Sequence, residues 1–448
     1  MAHATTDSIL AVAYFPNDER FLYTADQGGN ELNHLYVMEL DGTVKDLTPG
    51  ENLKASFLQW ADDEKSFFLL SNERDPKAFD VYEIDRESYE RRLFYENPGD
   101  YYVYAVSADR RFVALKRVYT TRDGDVYLHD RESGETKLLL GSPDAEVEYS
   151  PQFFDKDTLV LVCTTDLNHE FQYVAAVPLE GGALDTITLA EWDVNYASLS
   201  RNGGYWAEGL NVDGVAHARI RDIQTGDRID LPEVDSAGAS RVIFNNDDTA
   251  VAFYTQGART PGDLYYGRLD GAIEPVRLTH RLSTRIDPSH LVEPEVVRFE
   301  SYDGLEVPGI LYRPQQANAE NKVPALVYVH GGPGGQTTVS YTPLIQYLVN
   351  HGYAVYGINN RGSSGYGKTF FSLDDHRHGN ADLDDCVASK RMLSETGWVD
   401  PDRIGIIGGS YGGYMVCAAL AFRPEEFEAG VNIFGVTNWV RTLKSIPP

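Results

Sequence analysis

The strongest constraint on this chain is an internal repeat. An apolar residue leads into a polar turn carrying Asp or Asn, and an apolar strand follows. The six copies are Phe15-Pro16-Asn17-Asp18, Trp60-Ala61-Asp62-Asp63, Val106-Ser107-Ala108-Asp109, Phe153-Phe154-Asp155-Lys156, Leu199-Ser200-Arg201-Asn202 and Phe244-Asn245-Asn246-Asp247. The spacing is about 46 residues. A second landmark keeps step: Leu35-Tyr36-Val37 before Asp41-Gly42, Val81-Tyr82 before Asp85-Arg86, Val126-Tyr127 before Asp130-Arg131, and Leu264-Tyr265 before Asp270-Gly271. Short alternating strands, four to a repeat of this length, read as the blades of a β-propeller. The ring has six or seven blades, since residues 2–12 are either the remnant of a further blade or a lead-in strand. The Asp and Asn residues are expected to cap turns by bonding their own backbone.

Near residues 291–294 the repeat stops, which divides the chain into a propeller domain of residues 1–291 and a second domain of residues 292–448. Two domains also suit a length of 448 residues, more than one hydrophobic core usually serves. Residues 296–300, a turn at Asp303-Gly304 and residues 307–312 read as a hairpin. Apolar runs at 323–329, 353–358, 404–407 and 429–434 then alternate with helical patterns at 343–350, 383–393 and 415–422, the middle one keeping Leu383, Cys386, Val387 and Leu393 on its inner side. This alternation indicates a parallel sheet covered on both faces, with any site at the carboxyl ends of its strands.

One of those ends reads Gly408-Gly409-Ser410-Tyr411-Gly412-Gly413-Tyr414. The Gly408-x-Ser410-x-Gly412 spacing suits a nucleophile elbow, with a serine held in a strained conformation and glycines that let neighbouring elements approach. Taken alone, it also fits a glycine-rich turn with no chemistry. As an elbow it exposes the Ser410 hydroxyl and leaves the Tyr411 N–H, at a helix start, free to donate to a developing oxyanion. The loop His330-Gly331-Gly332-Pro333-Gly334-Gly335 offers more N–H groups clear of side chains. Gly332 is the expected second donor and Gly331 its alternative, while His330 is read as capping its strand and ordering the loop.

Another loop, Gly362-Ser363-Ser364-Gly365-Tyr366-Gly367-Lys368-Thr369, matches the phosphate-binding pattern letter for letter. Asn359-Asn360-Arg361 separate it from its strand, and a poor helix with acidic residues follows, so nucleotide binding is not expected. Asp374, Asp375, His376 and His378 suggest a metal only by type, because adjacent side chains on a loop seldom converge. A solvated acidic turn is expected there, and no metal is assigned.

The strand repeat followed by Asp303-Gly304, His330-Gly331-Gly332-Pro333, Asn360-Arg361-Gly362-Ser363-Ser364-Gly365-Tyr366-Gly367, Trp398-x-Asp400-Pro401-x-Arg403-Ile404 and Gly408-Gly409-Ser410-Tyr411-Gly412-Gly413-Tyr414-Met415 resembles the prolyl oligopeptidase family of serine peptidases, closest to its acylaminoacyl-peptidase-like branch. The resemblance implies a β-propeller joined to an α/β-hydrolase domain, with Ser410 as nucleophile and Tyr411 and Gly332 as oxyanion donors. It implies a propeller that restricts access to short or unfolded peptides, and an aromatic wall from Tyr414, Phe434 and Trp439 beside the scissile bond. Family members place the catalytic Asp and His downstream of the serine, and residues 411–448 contain neither. A hydrolase domain truncated at its C-terminal end is therefore expected, inactive alone, with the last segment cleaved, separate or absent. Losing the histidine from such a triad costs about 10⁶-fold in turnover.

Asp and Glu number 68 against 39 Lys and Arg, a formal charge of −29, which argues against nucleic acid or an anionic membrane as partner. Cys163, Cys386 and Cys417 are too few and scattered for a disulfide framework or zinc site and are expected to be buried thiols. The start lacks a basic n-region and residues 9–15 are too short for a signal or membrane segment, so a cytoplasmic location is expected. The expected partners are a peptide substrate and the missing C-terminal segment, with homo-oligomerisation open and no cofactor required. Two alternatives stand beside the peptidase: an esterase using the same groups, and a noncatalytic propeller protein that holds a partner.

Overall fold

The computed structural model describes residues 8–234 and 237–445. By contact density the chain forms two compact units, residues up to 167 together with 174–188, and residues 168–173 together with those from 189 onward. The first contains four four-stranded sheets and the second two more, beside a six-stranded sheet. Each four-stranded sheet is a meander whose strands follow chain order. Six blades are therefore present among the described residues. Of the expected lead-in, residues 2–7 lie outside the described residues, and Ile9–Tyr14 is the first strand of the first blade.

The repeated turn joins the first two strands of each blade, and its polar residues do what their side chains suit. Asp18 accepts from the N–H of Arg20 at 2.9 Å, Asp63 from Lys65 at 3.1 Å, Asp109 from Arg111 at 3.0 Å, Asp155 from Asp157 at 3.0 Å and Asp247 from Thr249 at 3.2 Å. In the remaining copy Ser200 accepts from the N–H of Tyr205 and donates to Asp248. Every one of these turns holds one residue at positive φ, namely Asn17, Glu64, Arg110, Leu159, Gly203 and Asp248. The self-bonded carboxylate stabilises a reversal that most L-residues resist. Behind the turns, Phe15, Leu22, Leu35, Phe67 and Ile84 form one buried cluster in the first unit, and Val251, Phe253 and Tyr265 form another in the second.

The six-stranded sheet comprises β1 (Glu295–Glu300), β2 (Glu306–Tyr312), β3 (Val323–Val329), β4 (Ala354–Ile358), β5 (Val399–Gly409) and β6 (Gly430–Ile433) in the order β1-β2-β4-β3-β5-β6. The hairpin β1–β2 and the β2–β4 pair are antiparallel, and the rest is parallel. Helices α1 (Pro343–Asn350), α2 (Gly367–Phe371), α3 (Ala381–Glu395), α4 (Tyr411–Phe422) and α5 (Trp439–Ser445) complete the layer. Val327, Val329, Ile358, Ile404 and Ile406 are buried against Leu383, Cys386, Leu393 and Met415, so the apolar runs and the inner face of α3 meet as their patterns predict. Among the described residues, strand β6 stands at the sheet's edge with Val431 exposed; Leu420 and Phe422 are exposed on α4, which packs on it, and Val440 and Leu443 are exposed on α5. Cys163 and Cys386 are buried free thiols, but Cys417 is only half-buried.

The loops after β4 explain the phosphate-pattern match. Arg361 is buried and makes paired hydrogen bonds to Asp385 at 2.8 and 2.9 Å and to Asp303 at 2.9 and 3.0 Å. Burial opposes its charge, yet the two carboxylates more than offset this and hold its pKa above the ordinary value. A Cβ on Gly362 would lie 2.2 Å from the Asp374 carboxyl, so an acidic side chain packs directly against this loop. The glycine is required because φ is 90° and because this carboxyl lies against it. Asp374 is buried, unlike the exposed Asp375 and His376, which corrects the expectation of a wholly solvated turn.

Burial pushes the Asp374 carboxyl up to about 6, with Asp382 and Asp375 adding to the shift and His378 opposing it. The folded state thus holds a proton that the unfolded chain has released, so this group's stabilisation is present at low pH and is lost as pH rises through about 6. Between pH 5 and 7.5 the parent is expected to lose about 1 kcal/mol relative to Asp374→Asn, read as a crossing trend in Tm. Arg361→Ala leaves Asp385 buried without its cation and is expected to cost about 3–5 kcal/mol in urea unfolding. Arg361→Lys recovers only part of this, because an ammonium cannot reproduce the two forked pairs.

Candidate functional site

Strand β5 ends at Gly409 and helix α4 begins at Tyr411, so a single residue makes the turn. That residue, Ser410, has φ 54° and ψ −120°, and it is exposed. A β-carbon in this region costs of order 1–3 kcal/mol, which the surroundings must hold in place. They do so through the main chain: the Ser410 N–H donates to Ile433 at 3.1 Å, and its carbonyl accepts from Tyr414 at 3.1 Å and Val436 at 3.4 Å.

The glycines on either side serve close approach. A Cβ on Gly412 would lie 2.1 Å from the Val329 carbonyl oxygen, and one on Gly408 would lie 2.5 Å from the Gly412 carbonyl carbon. Helix α4 therefore rests directly on the end of β3, where the next loop starts. In that loop a Cβ on Gly331 would lie 3.5 Å from Ser410 Cβ and 3.9 Å from its Oγ. Gly332 follows with φ 129°. The structure thus brings Gly331, at the start of this loop, to the serine. An exposed hydroxyl beside a glycine-rich loop and at a helix N-terminus is a setting that favours negative charge developing on an attacked carbonyl oxygen. The Tyr411 N–H, in the first position of α4, has no intrahelical acceptor. Among the described residues, no side chain hydrogen-bonds Ser410 Oγ.

His330 is buried, with Nδ1 2.8 Å from the Gly331 carbonyl oxygen and Nε2 2.7 Å from Ser363 Oγ. A carbonyl oxygen only accepts, so Nδ1 carries the proton, and the Ser363 hydroxyl has two acceptors within reach, Nε2 and the Asn360 carbonyl oxygen at 2.6 Å. Burial favours the neutral ring by lowering the pKa. Both nitrogens are occupied in tying the glycine loop to the loop after β4.

The three aromatic residues do not behave alike. Tyr414 and Trp439 pack on Tyr411, with ring centroids 5.5 and 6.1 Å from it and 5.2 Å from each other. Phe434 has φ 41° and is 88% exposed, standing apart from that cluster. The ring of Tyr411 is buried, and its hydroxyl donates to the Asp382 carboxylate, a contact no sequence signal announces because 29 residues separate the partners. Asp382, Asp374 and His378 have ligand atoms within 4.8 Å of one another, a spacing a cation would accept. Each is already bonded within the protein, His378 Nδ1 to Asp374 at 2.9 Å and Asp382 to Tyr411. Burial raises the pKa of Asp382, and the Tyr411 phenol is raised by burial and by the neighbouring carboxylate. A separate polar cavity of 370 Å³, bounded by Asn211, Gly214, Gln336, Thr338 and Ser364 among others, includes none of the expected site residues.

Comparison with known proteins places these observations. Residues 2–269 match the prolyl oligopeptidase N-terminal beta-propeller domain, and residues 339–446 match the prolyl oligopeptidase family. The chain is 28% identical over 449 residues to dipeptidyl aminopeptidase BIII of Pseudoxanthomonas mexicana, covering 96% of this chain and 64% of that protein. Human dipeptidyl peptidase 8 is 34% identical over 153 residues, which is 33% of this chain and 17% of that one. In fold, the chain resembles a puromycin-hydrolysing peptidase of Mycobacterium tuberculosis, with a TM-score of 0.80 at 19% identity over 98% of this chain and 70% of that one. The architecture is thus a six-bladed β-propeller with an α/β-hydrolase domain, and the chain belongs to the prolyl oligopeptidase family of serine peptidases.

Proposed function

We propose that Ser410, Tyr411 and Gly332 are the nucleophile and oxyanion donors of a serine peptidase acting on short peptides, of oligopeptidase or acylaminoacyl-peptidase type. The observation that carries this reading is the exposed Ser410 hydroxyl, held at φ 54° beside Gly331 and at the start of α4. In the proposed reaction Ser410 Oγ bonds to the substrate's carbonyl carbon, and the carbonyl π pair moves to an oxygen facing the Tyr411 and Gly332 N–H groups. Collapse breaks the C–N bond, and the amine leaves with the proton that the serine gave up. Water then cleaves the acyl-serine ester and restores the hydroxyl. Tyr414 and Trp439 form the wall of the proposed substrate pocket, and Phe434 borders it from solvent.

The proton transfers require a base, and residues 411–448 contain no Asp or His. The chain spans 64% of the length of its Pseudoxanthomonas relative, and we place the base and its orienting carboxylate in protein beyond these 448 residues. Without them this polypeptide is proposed to be inactive toward peptides. Incubated with a fluorophosphonate, it is expected to label slowly, over hours, and only at Ser410 by peptide mapping. Labelling that persists in Ser410→Ala would overturn the nucleophile assignment, and labelling within seconds would show that a base is already present.

A Cβ at Gly331 meets Ser410 at ordinary contact distance but occupies the approach to its hydroxyl. Gly331→Ala is expected to keep the parent Tm while slowing Ser410 labelling by about tenfold or more. For the protein with its base in place, turnover of a peptide anilide above that of a short-chain ester supports the peptidase, and the reverse favours the esterase. Preference for an N-acylated amino-acid anilide over a free dipeptide anilide would favour the acylaminoacyl type.

A further inference from the structure

The Tyr411 amide has a side-chain anchor outside its own helix. The ring is buried, and the hydroxyl at its far end donates to Asp382 Oδ2. Asp382 is fully buried, and its other oxygen accepts from the N–H groups of Asn380 at 3.0 Å and Leu383 at 2.9 Å. The carboxylate is therefore locked to the first turn of α3 and cannot follow the tyrosine if the tyrosine moves.

That turn is itself braced. Asp385, three residues further along α3, accepts from Arg361 and from Ser301 Oγ at 2.6 Å, while Arg361 also holds Asp303. One helix start thus carries two buried carboxylates, one tied to Tyr411 and the other to the loop after β4 and the β1–β2 hairpin. The ring at the elbow is fixed at one end by its own backbone and at the other by this frame.

Resting on the reading of Tyr411 as an oxyanion donor, we propose that Asp382 is a positioning residue for it, holding the Tyr411 side chain so that its backbone N–H keeps its aim at the substrate oxygen. Asp382 touches no reacting atom. It acts through one hydrogen bond and a rigid ring, and removing either partner lets the first turn of α4 relax while the fold persists.

The test uses the full 448-residue chain and the rate of fluorophosphonate labelling at Ser410. Tyr411→Phe keeps the ring and the amide and loses only the hydroxyl. Its maximal labelling rate is expected to fall about tenfold, with the half-saturating probe concentration unchanged within about twofold. Asp382→Asn is expected to fall similarly, and the double variant to label no more slowly than Tyr411→Phe, because both remove the same link. Leu393→Val, which weakens packing on the same helix, serves as the stability control and should label at the parent rate. Tyr411→Phe that loses Tm but labels at the parent rate would overturn the proposal, as would losses that multiply in the double variant.

A second readout does not depend on Ser410 chemistry. In the chain labelled with ¹⁵N-tyrosine, the Tyr411 amide resonance is identified by its disappearance in Tyr411→Phe. Asp382→Asn should shift or broaden it, and an unmoved resonance would overturn the positioning role. Should Ser410→Ala label like the parent, or the parent not label at all, the peptidase reading fails while this resonance still decides whether Asp382 aims the amide.

Discussion

The second unit depends on two stretches of backbone lying almost in contact. Helix α4 touches the end of β3 at Gly412, where even a methyl group would strike the Val329 carbonyl oxygen. This closeness lets the turn after β5 face the loop after β3, so that Ser410 from one lies beside Gly331 from the other. A larger residue at position 412 would have to push the helix off the strand, and the serine would travel with it. The glycine pattern of the elbow is thus chiefly a statement about clearance, and the strained φ belongs to Ser410 alone among residues 408–412.

Around that contact the protein manages its buried carboxylates in two ways. Asp385 is neutralised by a forked arginine, a geometry that fixes the loop after β4. Asp374 and Asp382 have no such partner and share a tyrosine hydroxyl, an imidazole and backbone N–H groups. Desolvation then dominates and both carboxyls hold protons more tightly than usual. The first pairing fixes structure through its forked geometry, whereas the second ties the neighbourhood of the elbow to acidity.

Much of this could be read from the sequence because the signals are local. An Asp or Asn that bonds an N–H two residues away needs no tertiary partner, so the propeller turns declared themselves from Asp18 to Asp247. The continuous apolar runs of β3 and β5 and the spaced apolar positions of α3 are likewise local signals. The elbow was legible for the same reason, as five consecutive residues specify its clearances. Contacts between distant residues were not. Asp374 reads as one more polar residue in an acidic stretch until Gly362 and His378 close around it. The Tyr411 to Asp382 bond, and the separation of Phe434 from Tyr414 and Trp439, depend on how helices settle on the sheet, which spacing does not encode. The helix α2 begins inside the stretch read as a loop, ahead of the poor helix expected after it, because five residues are too few to show a period. Its N-terminal N–H groups are satisfied from elsewhere, Thr369 bonding to the Glu170 carboxylate at 2.7 Å.

The rim of the mixed sheet carries a practical consequence for anyone handling this polypeptide by itself. Among the described residues, strand β6 offers an outer row of main-chain donors and acceptors, with Val431 exposed on it and Leu420 and Phe422 exposed on α4, which packs against it. Such a margin templates the addition of further strands, including those of identical molecules. The charge of −29 opposes this through mutual repulsion, but salt screens that repulsion over about 8–10 Å at moderate ionic strength. Clumping should therefore grow with added salt, opposite to the behaviour of a protein held together by surface ion pairs.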